Sequence, residues 1–60
     1  MFYITHENGV TVATRAPEGQ LISPRFASDD FANACDFETW GEASEVAQNF
    51  GPEWTVEEVG

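Results

Sequence analysis

Residues 39–52 read TWGEASEVAQNFGP and predict one amphipathic helix. Thr39 and Glu42 form the capping-box pattern that is typical of a helix start. Gly51 followed by Pro52 is typical of a helix end. Between these signals, apolar side chains recur at the spacing that places them on one helical face. They are Trp40, Ala43, Val46, Ala47 and Phe50.

Upstream of the helix, the sequence predicts a β-hairpin. Residues 2–6 and 10–14 are rich in aromatic and β-branched side chains, which favour strands. Asn8 and Gly9 stand between the two runs, and both tolerate the positive φ of a type I′ turn. We therefore expect two antiparallel strands joined at this dipeptide. Pro17 marks the end of the second strand.

The remaining segments carry weaker signals. Residues 21–23 are a candidate third strand, and residues 54–59 begin with the apolar and polar alternation of a closing strand. Ser28 is a candidate helix N-cap because two aspartates follow it in the first turn. Residues 31–37 fit either helical turns or an extended stretch.

This order of elements predicts an α+β fold. A single domain over residues 1–60 would pack one amphipathic helix on a three-stranded antiparallel sheet, with an extra short helical turn as an option. A chain of this size buries only about 60% of its unfolded surface, so an elaborate enzyme pocket is not expected. The expected core residues are Trp40, Phe50, Trp54, Phe2, Ile4, Val10 and Val12.

Cysteine content and hydropathy indicate the cellular compartment in which we expect the chain. Cys35 is the sole cysteine, so neither an intramolecular disulfide nor a four-cysteine zinc site can form. No apolar run approaches the roughly 18 residues of a membrane span, and residues 1–9 lack the basic region of a signal peptide. We expect a cytoplasmic protein with no membrane partner.

The charge balance is the most informative property of the sequence. Eleven acidic residues stand against two arginines and no lysine, which gives a net charge of -9 and excludes direct binding to nucleic acid. In residues 1–25 two acids balance the two arginines, so the whole net charge lies in residues 26–60. The acids of that half are the predicted partner-binding residues. They are Asp29, Asp30, Asp36, Glu38, Glu42, Glu45, Glu53, Glu57 and Glu58.

Catalytic and metal sites are poorly supported. Cys35 and His6 are the only sharp candidates for a nucleophile and a base, and they match no family spacing. Four of the acids lie close together in the sequence, but their spacing does not match a calcium-binding loop. We therefore predict no catalytic residue, no metal and no cofactor. The four acids are Asp29, Asp30, Asp36 and Glu38.

The acidic half suggests imitation of a nucleic-acid backbone. Glu38, Glu42 and Glu45 have the spacing that stacks them on one side of a helix, where like charges destabilise it. A globule of this length spans roughly 25 Å, over which duplex DNA carries about 15 charges. Three aromatic side chains at the edge of this acidic half would add apolar anchors for a partner. They are Phe26, Phe31 and Trp54. The alternative is that the charge only keeps the chain soluble and monomeric.

A small, acidic, lysine-free chain of this architecture resembles the phage-encoded anti-CRISPR proteins that act on type I Cascade complexes. The likeness is one of size, charge and architecture. It implies an inhibitor in the host bacterial cytosol, which occupies the DNA- and PAM-binding surface of the large Cascade subunit and blocks target binding. Because nine like charges oppose self-association, we expect a monomer. The residues that carry it are 1–5, Glu7-Asn8-Gly9, 39–50, 54–59 and the acids between them.

Other functions remain open at this stage. The chain could inhibit host RNA polymerase or another basic nucleic-acid-binding protein, or it could be an antitoxin-like module that masks a basic toxin. Enzyme activity is the weakest alternative, because it would have to depend on Cys35.

Overall fold

The computed structural model describes residues 1–59, in which one helix packs against a four-stranded antiparallel sheet. The predicted α+β class is confirmed, with four strands in place of three. Gly60, the last residue of the predicted domain, lies outside the described residues. In chain order the elements are β1 (Phe2–His6), β2 (Val12–Ala13), β3 (Ala27–Ser28), a 3₁₀ turn (Phe31–Asn33), α1 (Trp40–Phe50) and β4 (Trp54–Glu58).

The sheet has the strand order β3-β2-β1-β4, so the first and last strands of the chain are neighbours. They pair over five residues, from Phe2 opposite Glu58 to His6 opposite Trp54. β2 and β3 are two residues long. The long β1–β4 pair is therefore the structural centre, and α1 packs over it.

The helix begins and ends where the sequence predicts. Thr39 Oγ1 accepts a hydrogen bond from the Glu42 backbone N–H at 3.2 Å and donates one to Glu42 Oε1 at 3.1 Å. Gly51 follows the helix with a φ of 122°, which favours glycine. Glu38 precedes the cap, so the predicted stack of three helical glutamates is wrong. Only Glu42 and Glu45 lie on the helix.

The hairpin is present, but its turn is not of type I′. The His6 N–H donates to Thr11 O at 2.8 Å across a four-residue loop, residues 7–10. Gly9 has a φ of 82°, whereas no other residue of the loop has a positive φ. Asn8 keeps a negative φ because its Oδ1 accepts from the backbone N–H groups that follow the turn, at 2.9 and 3.0 Å.

The core lies between α1 and the sheet. Its buried members are Ile4, Ala13, Ala47 and Phe50. The partly buried side chains packed against it are Ile22, Phe37, Val46, Trp54 and Val56. The core predictions for Ile4, Phe50 and Trp54 are thus confirmed, and the half-buried Phe2 lies on the same strand.

Two other core predictions are wrong. Trp40 is 59% exposed and Val10 is 58% exposed. Val12 is fully buried, so its prediction as a core residue is confirmed, although it pairs with Thr5 and therefore lies on the face opposite the helix. The hairpin turn is centred between Asn8 and Gly9, so each even-numbered residue of one strand lies opposite an odd-numbered residue of the other. Ala13 is therefore the residue beside Ile4.

Residues 21–23 do not form the predicted third strand, which is Ala27–Ser28 instead. The Phe26 N–H donates to Ser23 O at 2.9 Å, so the chain turns there. Thr14 then holds Phe26 O with its backbone N–H and its hydroxyl, both at 2.7 Å. Ser28, the predicted N-cap, lies in this strand.

Residues 33–37 fill the gap where β1 and β2 diverge. Phe2 and Phe37 exchange backbone hydrogen bonds at 2.9 and 2.8 Å on one side of this segment. On the other side, the Cys35 N–H donates to Ala13 O at 2.9 Å. Of the two conformations that the sequence left open for residues 31–37, the structure has both, a 3₁₀ turn followed by an extended stretch.

Candidate partner-binding surfaces

All nine predicted partner-binding acids are exposed to solvent. The elements distribute them over several parts of the surface. Glu42 and Glu45 lie on the outer side of α1, and Glu57 and Glu58 lie on β4. Asp29 follows β3, which is at the opposite edge of the sheet from β4. At about 4.8 Å between strands, the two edges are roughly 14 Å apart. The acids therefore surround the sheet.

The acids have almost no counter-charge within residues 1–59. The one ion pair is between Arg15 and Asp36, whose closest atoms are 3.8 Å apart, and both side chains are half exposed. The other arginine, Arg25, stacks on the Phe26 ring at 5.3 Å from its centre. The remaining eight predicted acids have no cation within ion-pair distance among the described residues.

Two of these acids have a structural role. Asp30 caps the 3₁₀ turn, because its Oδ1 accepts from the Ala32 N–H at 3.1 Å and its Oδ2 accepts from Asn33 Nδ2 at 2.7 Å. Glu42 contributes to the cap of α1. Substitution of either residue would change the fold locally, so neither is a clean probe of binding.

The structure offers no donor set for a metal ion within residues 1–59. No three His, Cys, Asp or Glu side chains converge there closely enough to hold one. The four acids considered for a divalent cation are distributed between the end of β3, the extended segment and the residue before the helix cap. They do not form a cage of oxygen ligands.

The candidate base, His6, and the candidate nucleophile, Cys35, are both partly buried. His6 Nδ1 accepts from the Asn8 N–H at 3.1 Å, and its ring meets the Trp54 ring edge-on at 4.9 Å. Burial raises the pKa of the Cys35 thiol above its usual 9.0; the negative charge of Asp36 adds to this and Arg15 opposes it. A raised thiol pKa lowers the thiolate fraction, which is the reverse of what a nucleophilic cysteine needs.

A groove of about 600 Å³ runs between α1 and β4. Trp40 forms one wall of it and Trp54 another. None of its lining residues is charged, although the chain contains eleven acids. The lining residues are Trp40, Ser44, Ala47, Gln48, Gly51, Pro52, Trp54, Thr55 and Val56.

The sequence pattern missed this groove because it assigned Trp40 to the core. Trp40, Ser44 and Gln48 are four residues apart, so they form a second stripe on α1 beside the buried one. Because this tryptophan directly follows the N-cap and shares its stripe with two polar residues, the pattern indicates that the stripe lines a groove and does not belong to the core.

A second hollow, of about 470 Å³, lies on the face of the sheet opposite α1. Met1, Phe31 and Val59 contribute apolar side chains that are each about half exposed. Tyr3 meets Phe31 edge-on, with 5.9 Å between the ring centres. Phe31, one of the predicted anchors at the edge of the acidic surface, is therefore available to a partner.

Comparison with protein-family models, with curated proteins and with solved structures finds no match to this chain. Within residues 1–59, no helix is long and apolar enough to cross a membrane.

Proposed function

We propose that this chain inhibits a basic nucleic-acid-binding protein by occupying its nucleic-acid groove as a DNA mimic. The observation that supports this is the uncompensated charge. Nine exposed acids lie between residues 29 and 58, and only Asp36 has an arginine partner among the described residues. Exposed like charges repel one another, and a cationic partner would relieve that repulsion.

The dimensions of the molecule suit this role. Its longest axis is 26 Å, and duplex DNA over that length carries about 15 charges at one per roughly 1.7 Å. The formal net charge of the chain, -9, is of the same order. The accessible surface is 4020 Å², so a standard interface of about 800 Å² would use roughly a fifth of it. One copy of the chain is large enough to block a groove.

The resemblance to small anti-CRISPR proteins makes a type I Cascade complex the first target to test. In that case the chain would act as a monomer in the host bacterial cytosol, without catalysis or a cofactor. It would contact the lysines and arginines of the large subunit that hold the PAM-containing duplex. Target DNA would then fail to bind.

A gel-shift competition tests this proposal. Purified Cascade and a labelled target duplex are mixed with increasing amounts of the chain at two salt concentrations. We expect loss of the shifted band, with a weaker effect at high salt because screening reduces charge-driven association. An unchanged shift, with the chain shown to be folded by circular dichroism, would contradict the proposal for Cascade. Affinity capture on RNA polymerase and on basic toxins would then test the alternatives.

Charge-reversal variants locate the surface. Glu45→Lys changes an exposed residue on the outer side of α1 that caps nothing, so the fold should survive. Glu18→Lys makes the same charge change in the neutral N-terminal part of the sequence and is the matched control. We expect Glu45→Lys to weaken inhibition several-fold more than Glu18→Lys. Equal losses would show that only total charge matters and that no localised mimic surface exists.

A further inference from the structure

Among residues 1–59, no strand pairs with the outer edge of β4. The Glu7 N–H donates to Glu53 O at 2.8 Å and the Val59 N–H donates to Met1 O at 2.7 Å, so odd-numbered residues of this segment bond to β1. Backbone groups alternate in direction along an antiparallel strand. The N–H and C=O groups of Val56 and Glu58 therefore point outward, away from the sheet.

The two edges of the sheet differ in their ability to accept another strand. β3 is only two residues long, which protects an edge from pairing. β4 is five residues long and contains no proline or bulge. It is therefore the edge on which a strand could be added.

The two sides of the β4 edge differ in chemistry. On the helix side, Val56 faces the uncharged groove between α1 and β4, where Trp40 leaves more than half of its surface exposed, and the exposed Glu58 lies on the same side near the end of the strand. On the other side, the exposed Glu57 projects from β4, and Glu53 lies just before the strand. An added strand would place alternate side chains in the groove and beside these glutamates.

We propose that the β4 edge binds one extended segment of a partner protein as a fifth strand. In that segment apolar side chains alternate with Lys or Arg. The apolar ones fill the groove and cover Trp40, and the basic ones lie beside Glu57. The outward backbone groups of Val56 and Glu58 pair with the segment's main chain, as in other cases of strand addition. This inference does not depend on the DNA-mimic proposal, although the nine acids that support that proposal include Glu57.

Charge favours a basic partner over a second copy of the chain. Two β4 edges paired with each other would bring Glu53 and Glu57 of both copies close together, and like charges across a strand pair are destabilising. Each copy also carries a net charge of -9. The same glutamates that oppose self-pairing attract a lysine- or arginine-bearing segment.

A peptide titration of the full ¹⁵N-labelled chain tests the proposal. The probe is a blocked heptapeptide, Lys-Val-Lys-Ile-Lys-Val-Lys. We expect amide hydrogen exchange at Val56 and Glu58 to slow at least tenfold on saturation, because these N–H groups gain acceptors. Unchanged exchange at both residues with millimolar peptide would overturn the proposal.

Two control peptides separate strand addition from simple charge attraction. The same peptide with every backbone nitrogen methylated keeps the charge, but it has no N–H donors and its methyl groups prevent the close approach of a strand. A peptide with glutamate for every lysine keeps the alternation but reverses the charge. Neither should protect Val56 and Glu58. Protection by the methylated peptide would overturn strand addition, and protection by the acidic peptide would overturn charge selection.

Matched variants connect the effect to the edge. Glu57→Lys should weaken binding of the basic peptide roughly three- to tenfold more than Glu45→Lys, which makes the same charge change on the outer side of α1. Equal weakening would overturn the placement of the basic side chains beside Glu57.

Sedimentation of the free chain tests the remaining alternative, in which two copies pair through their β4 edges. A dimer in which the N–H groups of Val56 and Glu58 are already protected would show that a second copy binds this edge. Loss of Cascade inhibition in Glu45→Lys, with peptide binding retained, would show that the two proposals concern separate surfaces.

Discussion

Residues 39–58 and residues 14–37 are segments of similar length that are held in place by different means. The first segment contains α1 and β4, which bury side chains at regular helical and strand spacing. The second contains a two-residue strand and a 3₁₀ turn, and it is held mainly by backbone hydrogen bonds to β1 and β2. Side-chain periodicity is visible in a sequence, whereas backbone pairing of an irregular segment is not.

The largest expected effect distinguishes the two tryptophans of the first segment. Trp54 is half-buried and packs edge-on against Phe50 and His6, at 5.1 and 4.9 Å between ring centres. Trp54→Ala should cost about 3 kcal/mol of unfolding free energy. That is a large share of the roughly 3 to 9 kcal/mol expected for a domain of this size. Urea denaturation measures it.

Trp40→Ala is the matched control for this substitution. Since Trp40 is 59% exposed, its removal should cost less than about 1 kcal/mol and leave the chain folded. Similar losses for the two variants would mean that Trp40 belongs to the core after all, and the groove beside it would then be closed in solution.

An intermediate effect is expected in the second segment, at Thr14. Thr14→Val keeps the shape of the side chain but removes the hydroxyl that donates to Phe26 O at 2.7 Å. The expected loss is about 1 kcal/mol, the typical net value of one hydrogen bond. Thr14→Ser, which keeps the hydroxyl, is the control in the same urea series. If the serine variant is the less stable of the two, methyl packing rather than this hydrogen bond holds the segment.

The smallest effect depends on pH and concerns Cys35, also in the second segment. Its thiol pKa is raised in the folded state by burial, so the unfolded chain loses this proton first as pH rises. Stability should be unaffected by this group below the usual thiol pKa of 9.0 and should fall as pH rises through the folded value. The difference in urea midpoint between wild type and Cys35→Ala, followed from pH 7 to 10.5, isolates this group. A difference that grows in favour of wild type would reverse the sign and show a stabilised thiolate.

The same difference between residues 39–58 and residues 14–37 decides which parts of the fold could be predicted from the sequence. The capping box at Thr39 and the glycine at position 51 set the helix ends locally, so both were predictable. The extended segment pairs with Phe2 and Ala13, which are more than twenty residues away, and no local pattern records such a partner. The loss of the predicted strand at residues 21–23 has the same cause, because Thr14 selects Phe26 as its partner instead.

The candidate surfaces were predictable only in part. Exposure of the nine acids follows from the cost of burying a charge, and all nine are exposed. Their distribution around both edges depends on the strand order, which places β3 and β4 apart. The groove depends on how far α1 is displaced along β4, and the apolar pattern of the helix does not encode that displacement. The DNA-mimic function and the resemblance to anti-CRISPR proteins stay predictions.

The pairing of β1 with β4 also determines when the chain can fold. Phe2 lies opposite Glu58, so the central strand pair joins residues from the two ends of the described chain. Such non-local contacts give a high contact order, which slows folding because a long loop must close before any of these contacts forms. During synthesis, β1 is made before β4, because the two strands lie near opposite ends of the described chain. The apolar side of β1 therefore waits without its partner strand, and the molecule completes its core only after translation has passed β4.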